Sequence, residues 1–297
     1  MKEAEVVASK PLIPSGLRWN RGYLRTSTVL TVGVLLLLSL FMAFPFVWML
    51  SASLKVPKTA FSIPPQLWPH EWRWENYQQV LFHPTVPIPR FFLNSLNIAV
   101  LVTLGQLVTC TAAAYAFARL RFRGREVLFV VLLTALMVPA QVTIVPLYIE
   151  MRFFKLIDTH AALILPALTN IFGVFLLRQY LLTIPDELED AARMDGAGPV
   201  RILLQIMLPL IGPALTTLAI VVFTGTWNAF FFPLIFLNDW QKFTWPLGVT
   251  MLRGQYSQNS VTVIMAGITL GVAPVLLAFL VLQRRMIESI GFTGGIK

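Results

Sequence analysis

Five of the chain's fourteen carboxylates, Asp186, Glu187, Glu189, Asp190 and Asp195, fall in the stretch Leu182 to Pro213, between two long apolar runs. The residues interleaved with them are small: Ala191, Ala192, Gly196, Ala197 and Gly198. Carboxylates offer charge-assisted partners to basic groups, and small side chains let a second backbone come close. This chemistry suits docking rather than bond-making, which needs a nucleophile, a base or a metal at fixed spacing. His70, His83 and His160 are scattered without metal-ligand spacing, and no G-x-S-x-G or H-E-x-x-H occurs. No G-x-x-x-x-G-K-[ST] loop is present to cradle ATP in the usual way, and no other cofactor motif stands out. The lone Cys110 excludes an intramolecular disulfide and reads as a small packing residue.

The elements that must position these groups are short. Pro185 suits a helix's first turn and the following acids favour the positive end of its dipole, which predicts a helix to about Met194. Asp195 to Gly198 then make a break. Pro199 opens a second helix through Ile202, Leu203, Leu204 and Ile206, which Pro209 is expected to interrupt. An ordinary capped helix pair would account for these positions taken one at a time.

Composition places this connector at a membrane. The chain is 57% hydrophobic and only 12% charged, with a mean hydropathy of +0.73, against about a quarter charged in soluble domains. Its net charge of +9 does not mark a nucleic-acid binder, because the basic residues gather at the ends of apolar runs, where they meet anionic lipid head groups. A spanning helix needs about 20 residues. The uncharged runs predict an all-α polytopic membrane protein with six transmembrane helices, over about residues 27–50, 91–118, 127–149, 160–178, 209–235 and 260–283. Together they form a transmembrane domain over 26–290, flanked by polar tails at 1–25 and 291–297. The first run follows Arg18, Arg21 and Arg25 but continues through Phe41 to Met49 without a clear small-residue cleavage site, so it reads as an anchor rather than a signal peptide. With the N-terminus inside, 15 of the 23 Lys and Arg residues are inside. Both termini and the connector, a loop over 183–207, are therefore expected in the cytoplasm.

Polar residues in the spans mark where protein or water must stand beside the helix. The second span carries Asn94, Asn97 and Gln106 and ends in the small-residue run Ala112 to Ala118 before Arg119. In the third, Pro139 and Pro146 bracket Gln141 and Thr143 and predict a bend. The fifth climbs through Thr216, Thr217, Thr224 and Thr226 to Trp227 and Asn228. Trp227 could stack on a sugar ring while Asn228 bonds its hydroxyls; interfacial anchoring and helix packing explain them equally well. Asn94, Asn97, Gln106, Trp227 and Asn228 are the candidates to face a pathway. The outer loop after the first span, with Phe61, Pro64, Pro65, Trp68, Pro69, Trp72, Trp74 and Tyr77, reads either as an interfacial aromatic belt or as a platform for an external partner. Gly267 and Gly271 form a GxxxG site, which predicts a helix contact.

Taken together, Asp190-Ala191-Ala192, Asp195-Gly196-Ala197, Leu203, Ile206, Leu208 and Pro209 resemble the cytoplasmic EAA loop of ABC importer permeases, with Asp190 where the family normally has Glu and Leu203 where it often has Phe. Ser53-Leu54-Lys55, Asn76-Tyr77, the region from Trp227 through Pro233 to Phe243-Thr244-Trp245-Pro246-Leu247, and the tail Gly291 to Gly295 are similar to the carbohydrate-uptake branch, which commonly has an acid where Ala229 stands. The resemblance covers about residues 27 to 297. It implies a type I ABC importer permease fold and the maltose or glycerol-phosphate kind of importer. It implies as partners a homologous second permease, two ATP-binding subunits that use ATP and Mg, an extracytoplasmic solute-binding protein and the lipid bilayer of the cell (inner) membrane. It assigns coupling to the ATPase to Asp190, Ala191, Ala192, Asp195, Gly196, Ala197, Leu203, Ile206, Leu208 and Pro209, and no catalytic residue to this chain. Other solute classes stay open, as does a cation-coupled secondary carrier. The spans hold no Asp, Glu, Lys, Arg or His in their interiors, which disfavours proton coupling, while sodium coupling through backbone and hydroxyl oxygens remains compatible. A membrane-embedded enzyme is the remaining alternative class.

Overall fold

A computed structural model of the chain describes residues 21–60, 62, 64, 66–255 and 261–293. Most of the expected N-terminal tail, Phe61 and Pro65 of the aromatic loop, and the last four residues of the C-terminal tail lie outside the described residues. Every regular element among the described residues is helical. Contacts divide the chain into two units, up to Trp48 and from Met49 onward. The first contains most of helix α1 (Arg21–Ser53), whose Leu36, Leu37, Leu40 and Phe41 stand exposed, as side chains that meet lipid do.

In the second unit α2 (Glu75–Leu81) precedes the central helix α3 (Ile88–Arg119). Then come α4 (Arg125–Thr134), α5 (Ile144–Phe153), α6 (Ala161–Ile164) and α7 (Ile171–Leu181). The connector supplies α8 (Glu187–Met194), α9 (Pro199–Ile202) and α10 (Leu208–Leu210), and α11 (Gly212–Trp227), α12 (Phe231–Phe236), α13 (Trp245–Gln255) and α14 (Val261–Thr293) complete the chain.

Six spans are predicted from the sequence; four helical stretches among the described residues have the length and apolarity to cross a membrane, namely Thr28–Ser53, Ile88–Arg119, Ala161–Leu181 and Val261–Val281. Pro199–Leu210 and Gly212–Trp227 make a fifth if the 79° bend between them is taken as a break within one span. The expected third span is divided into two ten-residue helices, α4 and α5, by a non-α stretch that contains Pro139. Apolar length does not guarantee continuity. Nor does Pro209 interrupt its helix: a π turn over Leu203–Met207 carries the chain through to Leu210. Widening the turn before Pro209 relieves the clash of its ring with the Gln205 carbonyl four residues earlier, and the sharp bend falls at Ile211 instead.

Two apolar clusters lie along α3. Towards its Arg119 end, Cys110, Ala114 and Tyr115 pack with Leu177 and Leu181 of α7 and Leu218 of α11. Towards its other end, Phe91 and Ala99 pack with Trp227, Trp245, Leu252 and Ala266. In lipid such association relies on close packing and hydrogen bonds rather than on escape from water. The GxxxG site serves this packing within the chain. A Cβ on Gly271 would sit 2.1 Å from Trp245 Nε1, and the Gly271 carbonyl accepts a hydrogen bond of 2.9 Å from Trp227 Nε1.

Candidate functional site

Helix α8 presents two unlike faces. Glu189 and Ala192, three residues apart and so on one side, are buried; Asp190, Ala191, Arg193 and Met194 are exposed, Met194 to 89%. Its end is set by Gly196, which takes φ +79°, a left-handed conformation that glycine adopts without a Cβ penalty. A side chain added there would meet open space. The Ala197 amide bonds back to the Ala192 carbonyl at 2.9 Å and closes the helix end.

The buried face is fixed by ions. Glu189 Oε1 accepts from Arg193 Nη2 at 2.7 Å and from the Tyr115 hydroxyl at 3.2 Å, while its Oε2 lies 3.8 Å from Arg119 Nε. Arg119 also pairs with Asp186 and donates from Nη2 to the Leu181 and Ile184 carbonyls, each at 2.6 Å. The last residue of α3 thus holds the end of α7 and the start of α8 together. Both Arg119 and Glu189 side chains are only 5% exposed, and each keeps a second charged partner if the other is removed, Asp186 for Arg119 and Arg193 for Glu189, so losing either costs about 1.5–3 kcal/mol per charge-assisted bond rather than the full penalty of a lone buried charge. Arg178 makes a parallel clamp: it bonds Glu126 at 3.1 Å, donates to the Phe117 carbonyl and lies 4.0 Å over the Phe129 ring.

The ten residues that the resemblance assigns to coupling separate accordingly. Asp190, Ala191, Asp195, Gly196 and Pro209 are exposed, whereas Ala192 is buried and Ala197, Leu203, Ile206 and Leu208 pack against the cluster around α3. One set offers a surface and the other seats it. The sequence reading missed the ionic anchor of Tyr115, Arg119, Asp186 and Glu189. The signal for it was an arginine closing a span, since a cation there needs an acid within reach.

The pathway candidates lie on the expected helices but mostly turn to other work. Asn94 Nδ2 donates to the Gln241 and Phe243 carbonyls, both at 3.0 Å, and Gln106 Nε2 donates to the Ala167 carbonyl at 2.6 Å. Trp227 is 1% exposed, with its indole bonded to Gly271 and its ring edge-on to Phe92, so here it is a packing residue. Asn97 and Asn228 are exposed. A cavity of about 370 Å³ opens instead beside their neighbours, walled by Ser95, Ala167, Thr226, Ala229, Phe232 and Thr244 among others, and none of the five candidates lines it. Sequence places a helix in the right neighbourhood, but the face it turns depends on partners far along the chain.

The loops at the Asn94 end of α3 are tied by polar groups. Asn76 Nδ2 donates to the Ser53 and Lys55 carbonyls at 2.8 and 3.0 Å, and the Ser53 and Tyr77 hydroxyls meet at 2.7 Å, so the two short motifs noted in sequence are one contact. Burial pushes the Lys55 ammonium below its usual range. Trp68, Trp72 and Trp74 are exposed, which suits a belt or a platform alike. Asp158 bonds Lys242 at 2.7 Å and accepts from the Asn238 and Asp239 amides at 2.9 Å. Burial raises its carboxyl, but the Lys242 hydrogen bond, the two amides and the Lys242 charge outweigh this and bring it down to about 2.

Residues 105–290 match the family described as binding-protein-dependent transport system inner membrane component. The arabinooligosaccharides transport system permease protein AraQ of Halalkalibacterium halodurans is 36% identical over 70% of this chain and 74% of its own length. The trehalose/maltose transport system permease protein MalG of Thermococcus litoralis is 32% identical over 90% of this chain and 95% of its own. A chain from the crystal structure of a bacterial ABC transporter involved in the import of the acidic polysaccharide alginate superposes with a TM-score of 0.73 at 25% identity, covering 89% of this chain and 97% of that one. A second alginate ABC transporter structure, in complex with an alginate pentasaccharide-bound periplasmic protein, shares the fold at 14% identity with a TM-score of 0.58, covering 89% and 93%. With the family's model spanning more than half of it, the chain belongs to the binding-protein-dependent transport system inner membrane components, the membrane-embedded permeases of ABC importers.

Proposed function

We propose that this chain is one of two homologous permease subunits of a sugar importer and forms half of its translocation pathway. Relatives named for arabinooligosaccharide and for trehalose and maltose transport support the sugar class. In this reading both termini and α8 face the cytoplasm in the cell (inner) membrane, as the Lys and Arg distribution favours. Two separate ATPase subunits receive the exposed face of α8 and use ATP and Mg; this chain binds no cofactor and catalyses nothing. A solute-binding protein docks on the opposite side, as the alginate transporter structure with its periplasmic protein suggests.

The observation that carries the reading is the division of α8 into an ion-anchored face and an exposed acidic, small-residue face that ends at an unobstructed Gly196. Closure of the ATPase pair would move α8, and the Arg119 and Glu189 anchor would pass that displacement to α3 and α7 as a rigid-body shift between two packings. Gly196→Trp tests this. A side chain there meets nothing within the chain, so the variant carries only the left-handed backbone penalty of about 1–2 kcal/mol; insertion should persist, checked by its level in the membrane, while ATP hydrolysis no longer drives uptake. Gly196→Asn, whose side chain tolerates the left-handed backbone, retains much more coupling. Wild-type uptake by the Trp variant would refute docking at this site.

A further inference from the structure

The cavity beside α3 has a wall that selects its occupant. Among the described residues, no Asp, Glu, Lys, Arg or His lines it. An ionised solute entering a space walled mostly by apolar atoms would give up hydration and meet no counter-charge, whereas a neutral hydroxyl needs only a hydroxyl or carbonyl. Such groups are in place. Thr244 is 4% exposed, lines the cavity, and its Oγ1 has no hydrogen-bond partner. Ser95, also on the wall, uses its Oγ to accept from the Trp245 amide at 2.7 Å, a bond that leaves its own proton available. A buried hydroxyl left unpartnered is disfavoured, and a hydroxyl-bearing ligand removes that penalty. Phe232 supplies an aromatic surface on the same wall. The volume of about 370 Å³ falls at the small end of ligand pockets, so it suits a small solute or one end of a longer one.

We propose that this subunit itself holds a solute subsite in the cavity between α3, α6, α11 and α12, selective for an uncharged, hydroxyl-rich solute, with Thr244 Oγ1 as its principal hydrogen-bonding group and Ser95 Oγ as a second. The inference rests on the reading of the chain as a sugar permease. It adds that the solute is neutral rather than acidic and that this chain contacts it directly.

The test uses the complete importer in proteoliposomes with its solute-binding protein. Maltose, arabinotriose and N,N′-diacetylchitobiose serve as neutral probes, and glycerol 3-phosphate and an alginate trisaccharide as anionic ones. Uptake should be confined to neutral probes. Thr244→Val, which keeps the shape and removes the hydroxyl, should deliver about three- to tenfold less sugar per ATP hydrolysed. Thr244→Ser should restore the yield, which a merely structural defect would not predict. Uptake of an anionic probe at a comparable rate, or wild-type delivery by Thr244→Val, overturns the subsite but leaves the importer reading intact. ATP-driven uptake of none of the probes overturns both. Where Thr244→Val fails to assemble, Gly225→Leu replaces it. Gly225 lines the cavity and its Cβ would meet open space, so the larger side chain should fill the site and abolish uptake, and undiminished uptake would overturn the proposal.

Discussion

At one end of α3, Tyr115 and Arg119 hold α8 through a buried carboxylate; at the other, Asn94 and Ser95 hold the segment from Gln241 to Trp245 through neutral amide and hydroxyl bonds. The same helix thus reaches two sites with opposite chemistry. An ion pair in a low-dielectric surround is hard to break and suits an element that is to transmit a displacement. Neutral bonds are individually weaker, but they leave the cavity next to Ser95 free of fixed charge. In this account force enters through ions and solute passes by neutral groups.

The largest effect should come from the ionic end. Glu189→Ala removes the acceptor shared by Arg193 and the Tyr115 hydroxyl and the second partner of Arg119, and should lower the stability of the assembled importer by about 3 kcal/mol, measured by denaturation in detergent. Asp190→Ala, one residue along on the exposed face, should change stability by less than about 0.5 kcal/mol while weakening ATPase docking and hence uptake. Equal destabilisation by both would erase the distinction between the two faces of α8. At the neutral end a smaller loss is expected: Asn94→Ala removes two uncharged hydrogen bonds and should cost about 1–3 kcal/mol. Because no titrating group takes part, that loss should be the same at pH 6 and pH 8.

The smallest effect concerns the Asp158–Lys242 ion pair among the loops beyond that neutral end. Asp158 titrates near 2 when folded, below the ordinary carboxylate value of about 3.9. Its contribution to stability is therefore complete above about pH 4 and is lost as pH falls towards 2. The bond to Asp158 in turn raises Lys242 above its ordinary value, so that side chain stays charged throughout this window. Asp158→Asn should flatten stability across pH 4 to 2. An unchanged acid slope in the variant would show that Asp158 does not set it.

The contrast also explains what could be read from the chain alone. Helix boundaries, the break at Gly196 and the short α8 follow from local grammar: Pro185 at a start, acids in a first turn, glycine at an end. The division of the third span was foreshadowed by Pro139, although apolar length alone suggested one helix. What escaped were choices made across long separations. Arg119 and Glu189 are seventy positions apart, and nothing local says that they meet. Trp227 was legible as a large aromatic near a pathway but not as a side chain turned towards Gly271, because helix rotation is decided by the whole bundle. Thr244, on the cavity wall, lay in a recognised sugar-permease stretch with no mark of its own.

Vectorial uptake in proteoliposomes, with the chain reconstituted either alone or together with its sister permease, ATPase and solute-binding subunits, separates transport driven through α8 from transport by the chain itself. The chain alone should accumulate no sugar against a gradient, and the full assembly should show ATP-dependent accumulation that Gly196→Trp abolishes. Uphill accumulation by the isolated chain would contradict transport driven through α8.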